Sequence, residues 1–542
     1  MSSRTHRIVA IVAALLLLVT MVSLSRDFGF TWDERFQQKY GEQIWDYLHG
    51  RVPRATFDTD EGNQYLYGGL FEIVAVAAQH ALPSVDPYVV RHAVNSVWGW
   101  AGIVICGLAA GHAFGRRAGW IGAALLTAAP RYVGDAMNNP KDIPFAAAAM
   151  AVLGLTLTMD WRCPRLTWLR AAALTGAIAV GIGIRPLGLV LLLYSAGVIG
   201  LASLVWAVAG RGAPARPPGS AASSREPGAM RTLAMNVGWL ALIAAVAIPA
   251  GSIFWPYAQA QPYVRPLTAF VKTTQLDWAR GFDVLFDGQN LGAGDLPWTY
   301  VPVWLGISLP PVILVGVVAS WLVVRRGLQE AVAWLGLLAF AAAPVLAAIV
   351  RHATIYDGIR HLLFVIPPIV ALSAAGWSAV ASTRARAVAL LLLAVGIAEP
   401  VLFQLRNHPN QIVYFSPAIG GPKHAFARYD MDYWGNSVLQ AVAWADEVAR
   451  ASGVPLVVSG NPIQAVDANG GRFRALQVVP RAASTYHLDI RLMRGPSGAL
   501  KEFAARPDIL YTVATADGTP LCIVIPGPAF LQVSDRLKLR RD

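Results

Sequence analysis

The chain has 542 residues, 55% of them hydrophobic and only 14% charged, with a net charge of +12 at pH 7. A soluble chain carries about 25% charged residues, so the composition excludes an ordinary string of soluble domains and points to a polytopic membrane protein. The basic excess does not point to nucleic acid, because the basic residues punctuate apolar runs, as membrane topology requires. Cys106, Cys163 and Cys522 form no CxxC pair, so neither a zinc site nor a disulfide framework is expected.

The first apolar run, Ile8 to Leu24, is long enough to span a bilayer and is followed by a poor cleavage site, SLSRD. It is read as an uncleaved first span. FGFTWDERF, Phe28 to Phe36, follows at once and places the adjacent carboxylates Asp33 and Glu34 just after Phe30 and Trp32. RFQQKYGEQIWDYLHG has a near-helical apolar period, and LYGGLFEIVAVAAQHAL is apolar but short and interrupted by Glu72. Both are expected to lie as helices in the interface plane.

About eleven spans are expected, near 7–25, 91–113, 118–133, 143–160, 170–184, 187–209, 233–254, 301–324, 330–350, 361–381 and 386–404. With the N-terminus in the cytoplasm, six basic clusters fall inside: Arg4/Arg7, Arg116/Arg117, Arg162/Arg165/Arg170, Arg211 to Arg231, Arg325/Arg326 and Arg384/Arg386. The loop containing Arg211 to Arg231 is rich in Pro, Gly, Ser and Ala and reads as a flexible linker. Residues 26–90, residues 255–300 and everything after about 404 then lie outside.

The tail has a different texture. VPLVVSG, FRALQVVP, DILYTVA and LCIVIPG read as strands, and LQAVAWADEVARA, with Asn436 and Ser437 as caps, reads as an amphipathic helix. The expected architecture is mainly α: a helical bundle over residues 1–404 with a small α/β domain over 405–542.

Asp33 is a candidate base, with capping of the following helix as its ordinary alternative. Glu34 reads as a helix-start residue or a partner behind Asp33. Asp142, in NNPKDIPFA, opens a span on the same face, where a helix dipole alone would favour an acid. Lys141 either meets a phosphate or faces water. RHATIYDGIRHLLFVIPP supplies Arg351, His352, Arg360 and His361 at a turn between spans, where charge pointing into hydrocarbon is costly. Arg185 in GIGIRPLG is a further cation. The aromatic residues of 255–300 suit an interfacial belt, and Tyr429, Asp430, Asp432, Tyr433 and Trp434 suit either ligand contact or domain packing.

WDE at 32–34, the run FGRRAGWIGAALLTAAP and the outer turn PRYVGDAMNNPKDIPFA occur in this order on consistent sides. In this the chain resembles the GT-C superfamily of integral membrane glycosyltransferases, in the branch of protein O-mannosyltransferases and lipid A aminoarabinose transferases. The resemblance covers residues 7–400 or so. It implies a polyprenyl-phosphate-linked sugar donor, a lipid, polysaccharide or protein acceptor, and transfer on the periplasmic face of a bacterial inner membrane. It implies further that Asp33 is the general base of an inverting displacement. Arg360 matches the basic residue before the late outer spans and would hold the donor phosphate, with His361, Arg351, Lys141 and Arg185 as further candidates. The family's acid near Asp142 lies beside acceptor or metal; no cofactor is certain, and a divalent metal is possible but not indicated. The alternatives are a transporter or lipid flippase, which would carry charges near span midplanes, and a receptor, for which no cytoplasmic output module is evident.

Overall fold

The computed structural model describes residues 3–59, 61–161, 163–209 and 228–537. Arg162 and nearly all of the linker expected over 211–231 lie outside the described residues.

Among the described residues, seven helices are long and apolar enough to cross a membrane, or up to nine if two sharply bent pairs each count as one span. The sequence expectation of about eleven exceeds this because apolar runs continue through helix breaks. The run 118–133 is one case: its helix, Arg116–Thr127, stops, and Pro130 opens a new one, Pro130–Asn138. Proline suits a first helical position because its missing N–H has no partner there anyway. Pro130–Asn138 then meets Asp142–Leu157 at 116°, and Tyr300–Ser308 meets Pro311–Arg326 at 109°. The apolar helix Trp168–Ile184 has only 17 residues.

The segment Arg360–Val380 is the most enclosed of the long helices, with 89% of its apolar window buried. Its small residues permit this: Gly376 meets backbone at Gly316 and Ser320, where a Cβ has no room. The far end of this helix lies beside Arg117, whose guanidinium donates to the carbonyl of Ala381 at 2.9 Å. Two basic clusters assigned to the inner side thus meet at one end of a helix whose other end begins at Arg360.

On the opposite side the helices Trp32–Leu48 and Leu70–Ala81 pack against each other, and neither spans. Glu72, which interrupts the apolar run, is buried and pairs with Arg91 at 2.7 Å. A hairpin of β1 (Asp283–Phe286) and β2 (Gln289–Gly292) sits between the helices Arg265–Gln275 and Tyr300–Ser308. Its turn residues Asp287 and Gly288 both have positive φ, the type that Asp-Gly favours.

The tail carries a five-stranded sheet built from β3 (Leu456–Asn461), β4 (Leu476–Val478), β5 (Leu488–Leu492), β6 (Tyr511–Ala514) and β7 (Pro520–Pro526). Strand order is β4-β3-β5-β7-β6, with β3, β4 and β5 parallel and β7 antiparallel to both its neighbours. The four strands expected from sequence are present. The central one, β5, was not expected, because HLDIRL mixes charge with its apolar residues. The helix Asn436–Ser452 is capped from outside itself: Asp432 accepts from the backbone N–H of Gly435, Asn436 and Ser437, so Asn436 and Ser437 are not its caps.

Candidate functional site

The helix Trp32–Leu48 fixes Asp33. Its start is served by Glu34, whose Oε2 accepts from the backbone N–H of Thr31 at 2.8 Å. Glu34 is also held by His92 at 3.0 Å and is buried, so it faces the helix bundle. Asp33, one position earlier, does not cap the helix. It is partly exposed, and its Oδ2 accepts from Arg360 at 3.1 Å.

Arg360 stands where the turn between two spans enters the helix Arg360–Val380. Asp357 and Gly358 both adopt left-handed backbone there, which doubles the chain back sharply. The guanidinium is sandwiched between the rings of Tyr356 and Trp434, at 4.7 and 4.8 Å from their centroids. Its Nε lies 3.0 Å from Asp357 Oδ2. The other oxygen of Asp357 accepts from Arg494 of the tail at 2.5 Å. Arg494 in turn covers the face of Trp32, beside Asp33. The tail is thus tied to Arg360 through one carboxylate, Asp357, and the helix Trp32–Leu48 through another, Asp33.

A second cluster adjoins this one. Asp142 opens its helix and forms an ion pair with Arg185, which ends the helix Trp168–Ile184. Asn139 bridges two carboxylates, donating to Asp142 at 2.9 Å and to Asp135 at 3.0 Å. Lys141 donates to Gln64 at 2.7 Å and lies over the ring of Tyr67.

Much of this lines one cavity of about 590 Å³, within the range of small-molecule sites. Asp33, Asp142, Lys141, Arg185, Arg360 and His361 all contribute to its wall. Arg351 does not; it is exposed at a helix end. The wall also includes Asp357, Arg494, Arg35, Gln64, Tyr67, Asn461 and Gln464, none of them singled out from sequence. Asp357 lies within the turn RHATIYDGIRHLLFVIPP, among the basic residues that stand out there. Arg494 had no local signal. Tyr433 and Trp434 do not line the cavity; they donate to Asp135 at 3.2 and 2.9 Å, so the tail's aromatic cluster is packing against the membrane part.

The fold and the cavity define a polytopic membrane protein with one site at the end of its bundle, rich in cations and holding a carboxylate on a guanidinium. No protein-family profile and no curated protein sequence matches the chain. Among solved structures it is similar to ArnT from Cupriavidus metallidurans bound to undecaprenyl phosphate, at 15% identity and a TM-score of 0.48, covering 96% of this chain and 98% of that one. It is also similar to the oligosaccharyltransferase AglB from Archaeoglobus fulgidus in complex with an inhibitory peptide and a dolichol-phosphate. There the identity is 14% and the TM-score 0.43, covering 89% of this chain and 69% of that one.

Proposed function

We propose that the protein is an integral membrane glycosyltransferase. It moves a sugar from a polyprenyl-phosphate donor to an acceptor hydroxyl on the periplasmic face of a bacterial inner membrane, with inversion. In this reading residues 1–404 form the transferase body and residues 405–542 a periplasmic domain. The observation that carries it is the pairing of Asp33 with Arg360 inside a cavity that also holds Lys141 and Arg185.

The chemistry follows from charge. The donor is a phosphodiester with one negative charge, and the departing lipid phosphate is a monoester with a second. The wall supplies five basic side chains, Arg35, Lys141, Arg185, Arg360 and Arg494, against the carboxylates Asp33, Asp142 and Asp357. That surplus stabilises charge as it develops on the leaving oxygen. Because the phosphate leaves without being protonated, only the acceptor needs a base. The acceptor oxygen bonds to the anomeric carbon, the carbon–oxygen bond to phosphate breaks, and the hydroxyl proton passes to Asp33. Arg360 is well suited to phosphate, since its planar fork offers parallel donors. A phosphate that engages Arg360 competes with Asp33 for the same nitrogen, so donor binding releases the carboxylate for the acceptor.

A transporter would place its charges near span midplanes. Here Asp142 and Arg360 are the first residues of their helices and Arg185 follows the last of its own. The test is transfer by the purified protein in nanodiscs from a panel of undecaprenyl-phosphate sugars to extracted envelope lipids and glycans. Sugar-dependent product that falls sharply in Arg360→Ala at subsaturating donor is expected. Absence of transfer from every donor, with equilibration of labelled lipid across the bilayer, would instead make it a flippase.

A further inference from the structure

The cavity is built from two parts of the chain. The membrane body supplies the cations Lys141, Arg185 and Arg360 with the carboxamides Gln37, Gln64 and Asn139, and the tail supplies Arg494 and two further carboxamides, Asn461 and Gln464. Asn461 ends β3 and Gln464 lies three residues on, both exposed to the cavity, and among the described residues neither carboxamide has a hydrogen-bond partner. Leu492 ends the neighbouring parallel strand β5, with Arg494 just beyond. The chain leaves β3 toward β4 on one side and leaves β5 toward β6 on the other. Connections that diverge in this way open a crevice at the carboxyl ends of parallel strands, which is where open α/β sheets bind ligands.

The charges around this crevice are already committed. Asp33 is paired with Arg360, Asp142 with Arg185, and Asp357 with both Arg360 and Arg494. The tail's share of the wall, Asn461, Pro462, Gln464, Leu492 and Arg494, holds no carboxylate, so an ammonium group placed in this crevice would meet Arg494 and no counter-charge, even once donor phosphate has displaced Asp33 from Arg360. Carboxamides instead donate and accept at once, as a row of hydroxyls does.

We infer that the carboxyl ends of β3 and β5 form the subsite for the donor's sugar, and that Asn461 and Gln464 read the hydroxyls of a neutral sugar carrying no amino group. This rests on the reading of the protein as a polyprenyl-phosphate sugar transferase. It gives the tail domain a part in specificity, separate from the phosphate site of the membrane body.

Binding of three probes to the full-length protein in nanodiscs tests it: undecaprenyl phosphate, its glucosyl derivative, and its 4-amino-4-deoxyarabinosyl derivative. Wild type should bind the glucosyl lipid about tenfold more tightly than the bare lipid, given two added hydrogen bonds, and the amino-sugar lipid no more tightly than the bare one. The double variant Asn461→Ala/Gln464→Ala should lose the glucosyl preference and keep bare-lipid affinity. Gln464→Glu, which adds a free carboxylate and keeps the side chain's length, should raise amino-sugar affinity. Equal wild-type affinity for both sugar lipids, or an unchanged glucosyl preference in the double variant, would overturn the assignment while leaving the transferase reading intact. Failure of wild type to bind any of the three lipids would overturn both.

Discussion

The guanidinium of Arg360 sits 3.1 Å from the carboxylate of Asp33, although 327 residues separate them in the chain. The pair joins the helix Trp32–Leu48 to the turn before Arg360, and it joins the candidate base to the candidate phosphate ligand. Neither partner is spent on a surface salt bridge, since the arginine side chain is only 7% exposed. Its two aromatic neighbours and Asp357 would hold the guanidinium in place when a phosphate displaces Asp33.

Arg360→Ala should therefore raise the KM for the lipid-linked donor by about ten- to a hundredfold. A charged hydrogen bond to phosphate contributes about 1.5–3 kcal/mol. Arg360→Lys should recover only part of this, because an ammonium lacks the fork. Donor kinetics on both variants, alongside their thermal unfolding, check the point. An unchanged KM in the alanine variant would move the phosphate site to Arg185 or Lys141.

Glu34 should behave differently from its neighbour. It accepts from Thr31 N–H at 2.8 Å and pairs with His92 at 3.0 Å, both buried. Glu34→Gln should cost stability, about 1–3 kcal/mol for a disturbed buried charged hydrogen bond, while the transfer rate per folded molecule changes by no more than a few-fold. Thermal unfolding in detergent together with turnover measures both. A stable protein with a hundredfold slower rate would place Glu34 in the chemistry.

Asp430 gives a pH signature. Burial pushes its carboxyl up to about 7 from an ordinary 3.8. The folded state then holds a proton that the unfolded state has lost across that interval. Its contribution to stability is complete below about 4 and disappears as the pH rises through about 7. Asp430→Asn has no such proton, so between pH 4 and pH 8 wild type should lose stability relative to the variant, by up to a few kcal/mol in order of magnitude. Parallel pH profiles of thermal unfolding would count against the buried proton.

Much of the cavity was legible because its residues mark span ends. Asp142 and Arg360 each begin a helix and Arg185 follows one, and charge at such positions stands out against an apolar background. What escaped depends on contacts between distant segments. Arg494 lies in an ordinary loop of the tail, and only packing brings it to Asp357, 137 residues earlier. Asn461 and Gln464 look like any polar residues after a strand. The bent helix pairs were hidden for another reason: hydropathy is blind to direction, so a run that turns by more than 100° reads like one that continues.

The most direct test of the account is the turnover of Asp33→Asn, measured with purified enzyme at saturating donor. Asparagine keeps the size and can still accept from Arg360, so insertion, folding and donor affinity should stay close to wild type. It cannot take the acceptor's proton, and general-base catalysis contributes about a hundred- to ten-thousandfold. The account predicts a loss of kcat in that range with little change in donor KM. A near-normal kcat would show that the acceptor's proton leaves by another route and that Asp33 is only the resting partner of Arg360.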